Sequence, residues 1–152
     1  MNNGQINIVI VEDDPNDVEL LMRVFRKQNL VNQIVLLKDG AEALAYFFPD
    51  GEDAPRKQNH DPKVVLLDLK LPKVNGIEVL ERMKSDARTK HIPVVVLTSS
   101  KENRDMKAAY RLGVNSYVTK PIKFEEFART VADLGMYWLL LNESPAGKHK
   151  TT

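Results

Sequence analysis

Val64-Val65-Leu66-Leu67-Asp68-Leu69-Lys70-Leu71-Pro72 carries the strongest structural signal in the chain. Four consecutive apolar residues, led by two β-branched valines and ending on a carboxylate, have the composition of a strand buried on both faces that stops at Asp68. Strands covered on both faces belong to parallel sheets, and open parallel α/β sheets collect their chemistry at the carboxyl ends of the strands. Asp68 therefore stands where a ligand or reacting group would meet it. A helix cap or turn is the competing reading of an acid at this place. Leu69-Lys70-Leu71-Pro72, however, is no helix start, and the next helical run begins only at Asn75-Gly76.

The same unit recurs on either side. Upstream, Ile6 to Val11 is a β-branched run that ends in Glu12-Asp13-Asp14-Pro15, a second buried strand finishing in carboxylates. Pro15 suits a first helical turn, and Val18, Leu21, Val24 and Phe25 follow at helical spacing. Ile34 to Leu37 and Gly40 to Phe48 give a shorter strand and helix. Downstream, Asn75 to Lys84 reads as a helix with Ile77, Leu80 and Met83 or Lys84 on one stripe, and Ile92 to Thr98 as a strand that tolerates Pro93 at its start. Lys101 to Leu112 is helical and stopped by Gly113, Val114 to Val118 is a strand leading into Thr119-Lys120-Pro121, and a last helix runs from Lys123. Strand and helix alternate five times, which specifies an α/β fold: a five-stranded, parallel, doubly wound sheet. Pro49 to Pro62, with three prolines and six charged residues, is an exposed connection without an assigned role, and its His60 reads as a surface residue.

Composition narrows the function. A chain of 152 residues, 43% hydrophobic and 28% charged, suits one globular domain, expected over residues 6–142 with a disordered tail at 143–152. A formal charge of +1 argues against nucleic acid as a partner, and the absence of cysteine excludes disulfides and thiolate chemistry. No signal peptide and no run approaching the ~20 apolar residues of a membrane span is evident, so the expectation is a cytoplasmic protein without membrane contact.

At the carboxyl edge the alternation gathers Glu12 and Asp13 after the first strand, Asp68 after the third, Thr98 after the fourth and Lys120 after the fifth. Three carboxylates held together repel unless a cation joins them, and an all-oxygen set suits a hard ion such as Mg²⁺. A hydroxyl and an ammonium opposite that ion are the groups that hold phosphoryl oxygens, and an Asp can accept a phosphoryl group as an acyl phosphate.

The pattern Val-Glu-Asp-Asp-Pro, Leu-Leu-Asp-Leu-Lys-Leu-Pro followed by Asn-Gly-Ile, Val-Leu-Thr-Ser-Ser and Ser-Tyr-Val-Thr-Lys-Pro-Ile resembles the receiver domain of two-component response regulators over roughly Ile6 to Val131. The resemblance implies a flavodoxin-like fold in which Asp68 takes phosphate from the phosphohistidine of a sensor kinase. It implies that Asp13, Asp68 and the backbone carbonyl of Lys70 ligate Mg²⁺ while Glu12 acts through water. By the same likeness Thr98 and Lys120 contact the phosphoryl group, small Ser99 leaves the site accessible and Tyr117 is the switch aromatic. Asp14 reads as the cap of the first helix rather than a ligand. The lack of an attached output domain, the 49–62 connection and the Lys-Phe-Glu-Glu-Phe segment resemble single-domain regulators paired with bacterial phytochrome kinases.

Two rival readings meet specific obstacles in the chain. A haloacid-dehalogenase-type phosphatase needs a second Asp two positions after its nucleophile, where this chain has Lys70; a flavodoxin would place phosphate against Glu12-Asp13-Asp14, which would repel it. Three further expectations follow. The Lys120-Pro121 bond is expected cis, since trans is favoured by only ~0.5–1 kcal/mol before proline. Phosphorylation is expected to draw Thr98 inward, with Tyr117 following. Finally, Phe124, Phe127, Ala128, Val131 and Leu134 form one packing stripe, whereas Tyr137-Trp138-Leu139-Leu140-Leu141 is apolar all round and is expected to make a homodimer. The downstream protein is not specified by the sequence.

Overall fold

The computed structural model describes residues 6–27, 29, 33–49, 61–99, 103–120, 125 and 129. Among these, five strands, β1 (Ile8–Val11), β2 (Ile34–Leu37), β3 (Val64–Leu67), β4 (Val94–Thr98) and β5 (Ser116–Thr119), alternate with four helices, α1 (Pro15–Lys27), α2 (Gly40–Phe47), α3 (Gly76–Ser85) and α4 (Asn103–Arg111). All pairings are parallel, in the order β2-β1-β3-β4-β5. Strand order reverses between β1 and β3, and the acids predicted from the sequence stand at the carboxyl ends of those two strands.

Burial follows from position in the sheet. The central strands β1, β3 and β4 are buried at every residue, whereas the edge strands β2 and β5 are half-buried, with Leu36 of β2 exposed. The period-two alternation of strand side chains divides the apolar set into two cores. Ile8, Ile10, Val64, Leu66, Val95 and Leu97 face α1 with its Leu21, Val24 and Phe25. Val9, Val11, Val65, Leu67, Val94 and Val96 face the other layer, where they meet Ala43 and Phe47 of α2, Val79, Leu80 and Met83 of α3 and Ala109 of α4. Helices thus cover both faces, which is why the strands read as unbroken apolar runs.

The helix ends obey local rules. Asp14 caps α1: its carbonyl accepts from Val18 N–H at 3.0 Å and its carboxylate from Asn16 N–H at 2.8 Å. Asp39 and Asn75 cap α2 and α3 in the same way, accepting from Glu42 and Glu78. Past α4, Gly113 has φ +100°, with its N–H on Tyr110 O at 3.0 Å and the Val114 N–H on Ala109 O at 3.2 Å, the paired bonds of a left-handed helix stop.

Element starts differ from the sequence expectation by about two residues for identifiable reasons. Asn7 already accepts from Lys63 N–H and donates to Gln33, so the chain joins its neighbours before the β1 ladder begins at Ile8. Ile92 N–H closes a turn onto Thr89 O and Pro93 has no N–H, so β4 begins at Val94. Val114 belongs to the α4 stop, and β5 runs Ser116–Thr119 rather than from Val114. Lys84, expected near the α3 stripe, buries its stem and donates from Nζ to Ile92 O at 2.7 Å and Lys90 O at 3.1 Å, tying α3 to the approach of β4. Glu125 and Arg129 are helical and exposed. Pro121, the remainder of the expected last helix with Tyr137, Trp138, Leu139 and Leu141, the 143–152 tail and residues 50–60 lie outside the described residues. No helix among the described residues is long and apolar enough to cross a membrane.

Candidate functional site

Backbone pairing brings the predicted residues to one edge. Asp68 N–H donates to Val11 O at 3.0 Å and Glu12 N–H to Leu37 O at 3.0 Å, so the two acids that follow β1 and β3 are fixed by the sheet itself. Lys120 N–H donates to Thr98 O at 2.6 Å, which ties the residue after β5 to the end of β4. Behind Asp68, Gly76 N–H donates to Leu69 O at 2.8 Å, and a Cβ on Gly76 would lie 2.3 Å from Asp68 O. Only glycine permits this approach of α3 to the backbone of Asp68.

The Lys120 ammonium is the electrostatic centre. Its Nζ lies 2.6 Å from Glu12 Oε1, 2.8 Å from Asp17 Oδ2 and 3.2 Å from Asp68 Oδ2. The other oxygen of Asp68, Oδ1, accepts from Lys70 N–H at 3.1 Å, and Glu12 Oε2 accepts from Asp14 N–H at 3.1 Å. Asp13 is exposed, while Glu12 is 2% and Asp68 6% exposed. Carboxylate oxygens of Glu12, Asp13 and Asp68 all lie within 4.8 Å of one another. An open crevice of about 390 Å³ is walled by Asp13, Asp17, Asp68, Lys70, Ser99 and Lys120.

Charges here are unbalanced. Burial pushes the Glu12 carboxyl up to about 7, against the hydrogen bond from Lys120, and the charge of Asp68 raises it further. Burial also disfavours the Lys120 ammonium, but hydrogen bonds to Asp17 and Glu12 and the charge of Asp68 outweigh it and raise its pKa above the ordinary value. The ammonium is thus permanent, and the excess negative charge is relieved at Glu12, which keeps its proton to higher pH than an ordinary carboxyl unless a cation takes its place. Three clustered carboxylates with no sulfur or imidazole fit a hard divalent ion, so the residues present suit Mg²⁺.

Of the residues expected to converge, Glu12, Asp13, Asp68 and Lys120 do so, and Lys70 and Ser99 wall the crevice beside them. Thr98 sits behind this group: its residue is 0% exposed, and strand alternation puts it on the face of Val94 and Val96, with the exposed Ser99 in front. Tyr117 is paired with Val96 and packs against the same core, so Thr98 and Tyr117 share the α4-facing side of the sheet. The tilted rings of Tyr110 and Tyr117 are 6.5 Å apart, which links this side to α4. Asp14 borders the crevice but is engaged as the α1 cap. Sequence reading missed Asp17, the third partner of Lys120. Its signal was the four-residue spacing from Asp13, one helical turn onward at the mouth of the same edge.

A doubly wound sheet whose carboxyl edge presents three carboxylates and one ammonium defines a flavodoxin-like domain with a cation and phosphate crevice. Its sequence matches the response regulator receiver domain over residues 8–132, and the chain belongs to that family. It is 44% identical over 138 residues to the probable methanogenesis regulatory protein FilR2 of Methanothrix harundinacea, covering 91% of this chain and 86% of that one. It is 37% identical over 141 residues to the response regulator Rcp1 of Synechocystis, covering 91% and 92%. The phosphorylated cyanobacterial phytochrome response regulator RcpA superposes with a TM-score of 0.78 at 36% identity, over 93% of this chain and 99% of that one. The bacteriophytochrome response regulator RtBRR gives 0.71 at 46% identity over 96% and 87%. The Mn²⁺-bound form of Rcp1 gives 0.77 at 36% identity over 92% and 99%. None of these is a phosphatase of the haloacid-dehalogenase type, and Lys70, two residues after Asp68, has no carboxyl side chain to serve as that family's general acid.

Proposed function

We propose that Asp68 is the phosphoacceptor of a phosphorelay and that Glu12, Asp13 and Asp68, with the backbone carbonyl of Lys70, hold the Mg²⁺ that the transfer requires. The observation that carries this reading is the meeting of those three carboxylates beside the Lys120 ammonium at the β1/β3 edge. A carboxylate oxygen of Asp68 attacks phosphorus; a P–O bond forms as the P–N bond to the donor imidazole breaks, its electron pair leaving on that nitrogen. A cation held by these carboxylates would neutralise charge on the phosphoryl oxygens. Lys120 meets one of these oxygens and the Thr98 hydroxyl another, after Thr98 moves forward from its buried place. Ser99, small and exposed, leaves the crevice open to the donor. The catalytic groups are all on this chain, so small phosphodonors such as acetyl phosphate also serve, and water reverses the modification.

Withdrawal of Thr98 toward the phosphoryl group empties space on the α4-facing side, and Tyr117 turns into it, changing the surface of α4 and β5. The donor is the phosphohistidine of a sensor kinase, and the likeness to RcpA and RtBRR supports a phytochrome-type kinase. That kinase draws on ATP, so we assign the encounter to the cytoplasm. The apolar Tyr137-Trp138-Leu139-Leu140-Leu141 segment supports a homodimer through the last helix, and the altered face would meet a downstream protein. Light scattering of wild type against a Trp138→Glu, Leu141→Glu variant tests the dimer; a monomeric wild type at tens of micromolar refutes it. Labelling with radioactive acetyl phosphate tests the core of the proposal. Label is expected only with Mg²⁺ and is lost in Asp68→Asn; label persisting on that variant would overturn it.

A further inference from the structure

Among the described residues, Asp17 is the one carboxylate on Lys120 that a cation at Glu12, Asp13 and Asp68 would not engage, because it lies outside the cluster of three oxygens within 4.8 Å of one another. We propose that Asp17 is a restraining residue for the phosphoryl site: it holds the Lys120 ammonium on the α1 side and competes with the phosphoryl group for it, so that it weakens phosphoryl retention on Asp68. This rests on the reading of Asp68 as phosphoacceptor.

The geometry gives the restraint its direction. Lys120 has three N–H donors and three acceptors, of which Asp68 is the most distant at 3.2 Å, against 2.8 Å for Asp17 and 2.6 Å for Glu12. When a divalent ion recruits the oxygens of Glu12 and Asp68, Asp17 is the partner left with an undiminished negative charge. It sits at the third position of α1, anchored by the Asp14 cap and Pro15, so it does not follow the ammonium inward at little cost. A phosphoryl group on Asp68 brings two negative charges to the far side of the same ammonium. Asp17, which also lines the crevice, draws the Lys120 ammonium away from it. The side chain of Asp17 is 31% exposed, so water screens the pair and limits its strength. The restraint is one that phosphorylation can overcome, as a reversible modification requires.

The test uses the full chain with Mg²⁺ and beryllofluoride as the phosphoryl mimic, measuring the dissociation constants of both by NMR titration. Asp17→Asn keeps the size and loses the charge. It is expected to bind beryllofluoride about two- to fivefold more tightly, the span set by a partly exposed ion pair, while Mg²⁺ binding is equal or weaker because negative charge has been removed. A merely structural role would weaken both ligands together. The same substitution in a Lys120→Ala background is expected to leave beryllofluoride affinity within error, since the effect acts through the ammonium. Asp17→Glu should restore affinity toward wild type. Beryllofluoride binding unchanged or weakened in Asp17→Asn, or an equal gain without Lys120, overturns the proposal. Asp68→Asn is the separate control: binding that survives it refutes the phosphoacceptor reading, whereas loss there with no Asp17 effect refutes the restraint alone.

Discussion

Gly76→Ala is expected to damage the site and the fold together, although alanine is the better helix former. The added Cβ would stand 2.3 Å from Asp68 O, 2.5 Å from Leu69 Cα and 3.0 Å from Asp68 C, all backbone atoms that no side-chain rotation can clear. Reaching the 3.4 Å of ordinary contact with Asp68 O requires a displacement of 3.4 − 2.3 = 1.1 Å. The helix gains about 1 kcal/mol from the replacement. Forcing atoms into packed backbone costs more, about 1–3 kcal/mol, and the Gly76 N–H bond to Leu69 O is stretched as well. The expected net loss is up to about 2 kcal/mol, read as a fall in Tm of up to about 8 °C for a domain of this size. Asp68 is carried with its carbonyl, and a displacement near 1 Å at a reacting group lowers beryllofluoride affinity by tenfold or more, up to about 10². Gly113→Ala provides the contrast, because only Lys84 Cδ at 4.0 Å faces its Cβ and the penalty comes from φ +100° alone. It should cost about 1–2 kcal/mol of stability and leave beryllofluoride affinity intact. Thermal melts and beryllofluoride titrations on both variants decide the matter. A Gly76→Ala protein with wild-type affinity, or with a raised Tm, would refute the reasoning.

Other outcomes follow from the same geometry. Glu12 is raised from 4.5 to about 7 in the folded protein, so between those values the native state keeps a proton the unfolded chain has lost. Metal-free stability therefore falls as pH rises through that window, and denaturation at pH 5 and 7 checks the sign. Mg²⁺ displaces this proton, so its affinity should increase with pH up to about 7 and level off above, with proton release seen by calorimetry in buffers of differing ionisation enthalpy. In NMR spectra beryllofluoride should shift Tyr117 and Tyr110 as well as the crevice. Thr98→Ala should keep the crevice shifts and lose the distant ones; shifts confined to the crevice in wild type would refute the switch.

The sheet was legible because β1, β3 and β4 are buried on both faces, which leaves no polar alternation to confuse them with surface strands. The site was legible for a related reason: in an apolar run, the first charged residue marks the end of the strand, and Glu12 and Asp68 stand at such a break, while Lys120 is the first charge after the mixed strand Ser116–Thr119. Depth was not. Nothing in Val-Leu-Thr-Ser tells that Thr98 is wholly buried while Ser99 faces the crevice, because that depends on which layer the last strand residue meets. Asp17 was hidden by its position, since an acid in the first turn of a helix already has an ordinary purpose beside the helix dipole. The close approach of α3 to Asp68 was equally silent, for Asn75-Gly76 reads as a cap followed by a flexible residue, and only the assembled layers show that Gly76 has no room for a Cβ.

That a single residue, Asp68, accepts the phosphoryl group is the claim to be tested. Brief treatment with acetyl phosphate and Mg²⁺, followed by borohydride, reduces an acyl phosphate to the corresponding alcohol and marks the acceptor permanently for peptide mass mapping. The expected product is homoserine at position 68 alone, with Glu12, Asp13 and Asp17 unmodified and no product when Mg²⁺ is withheld. Reduction at any of those other carboxylates, or none at Asp68 under conditions in which the protein takes up phosphate, would contradict it.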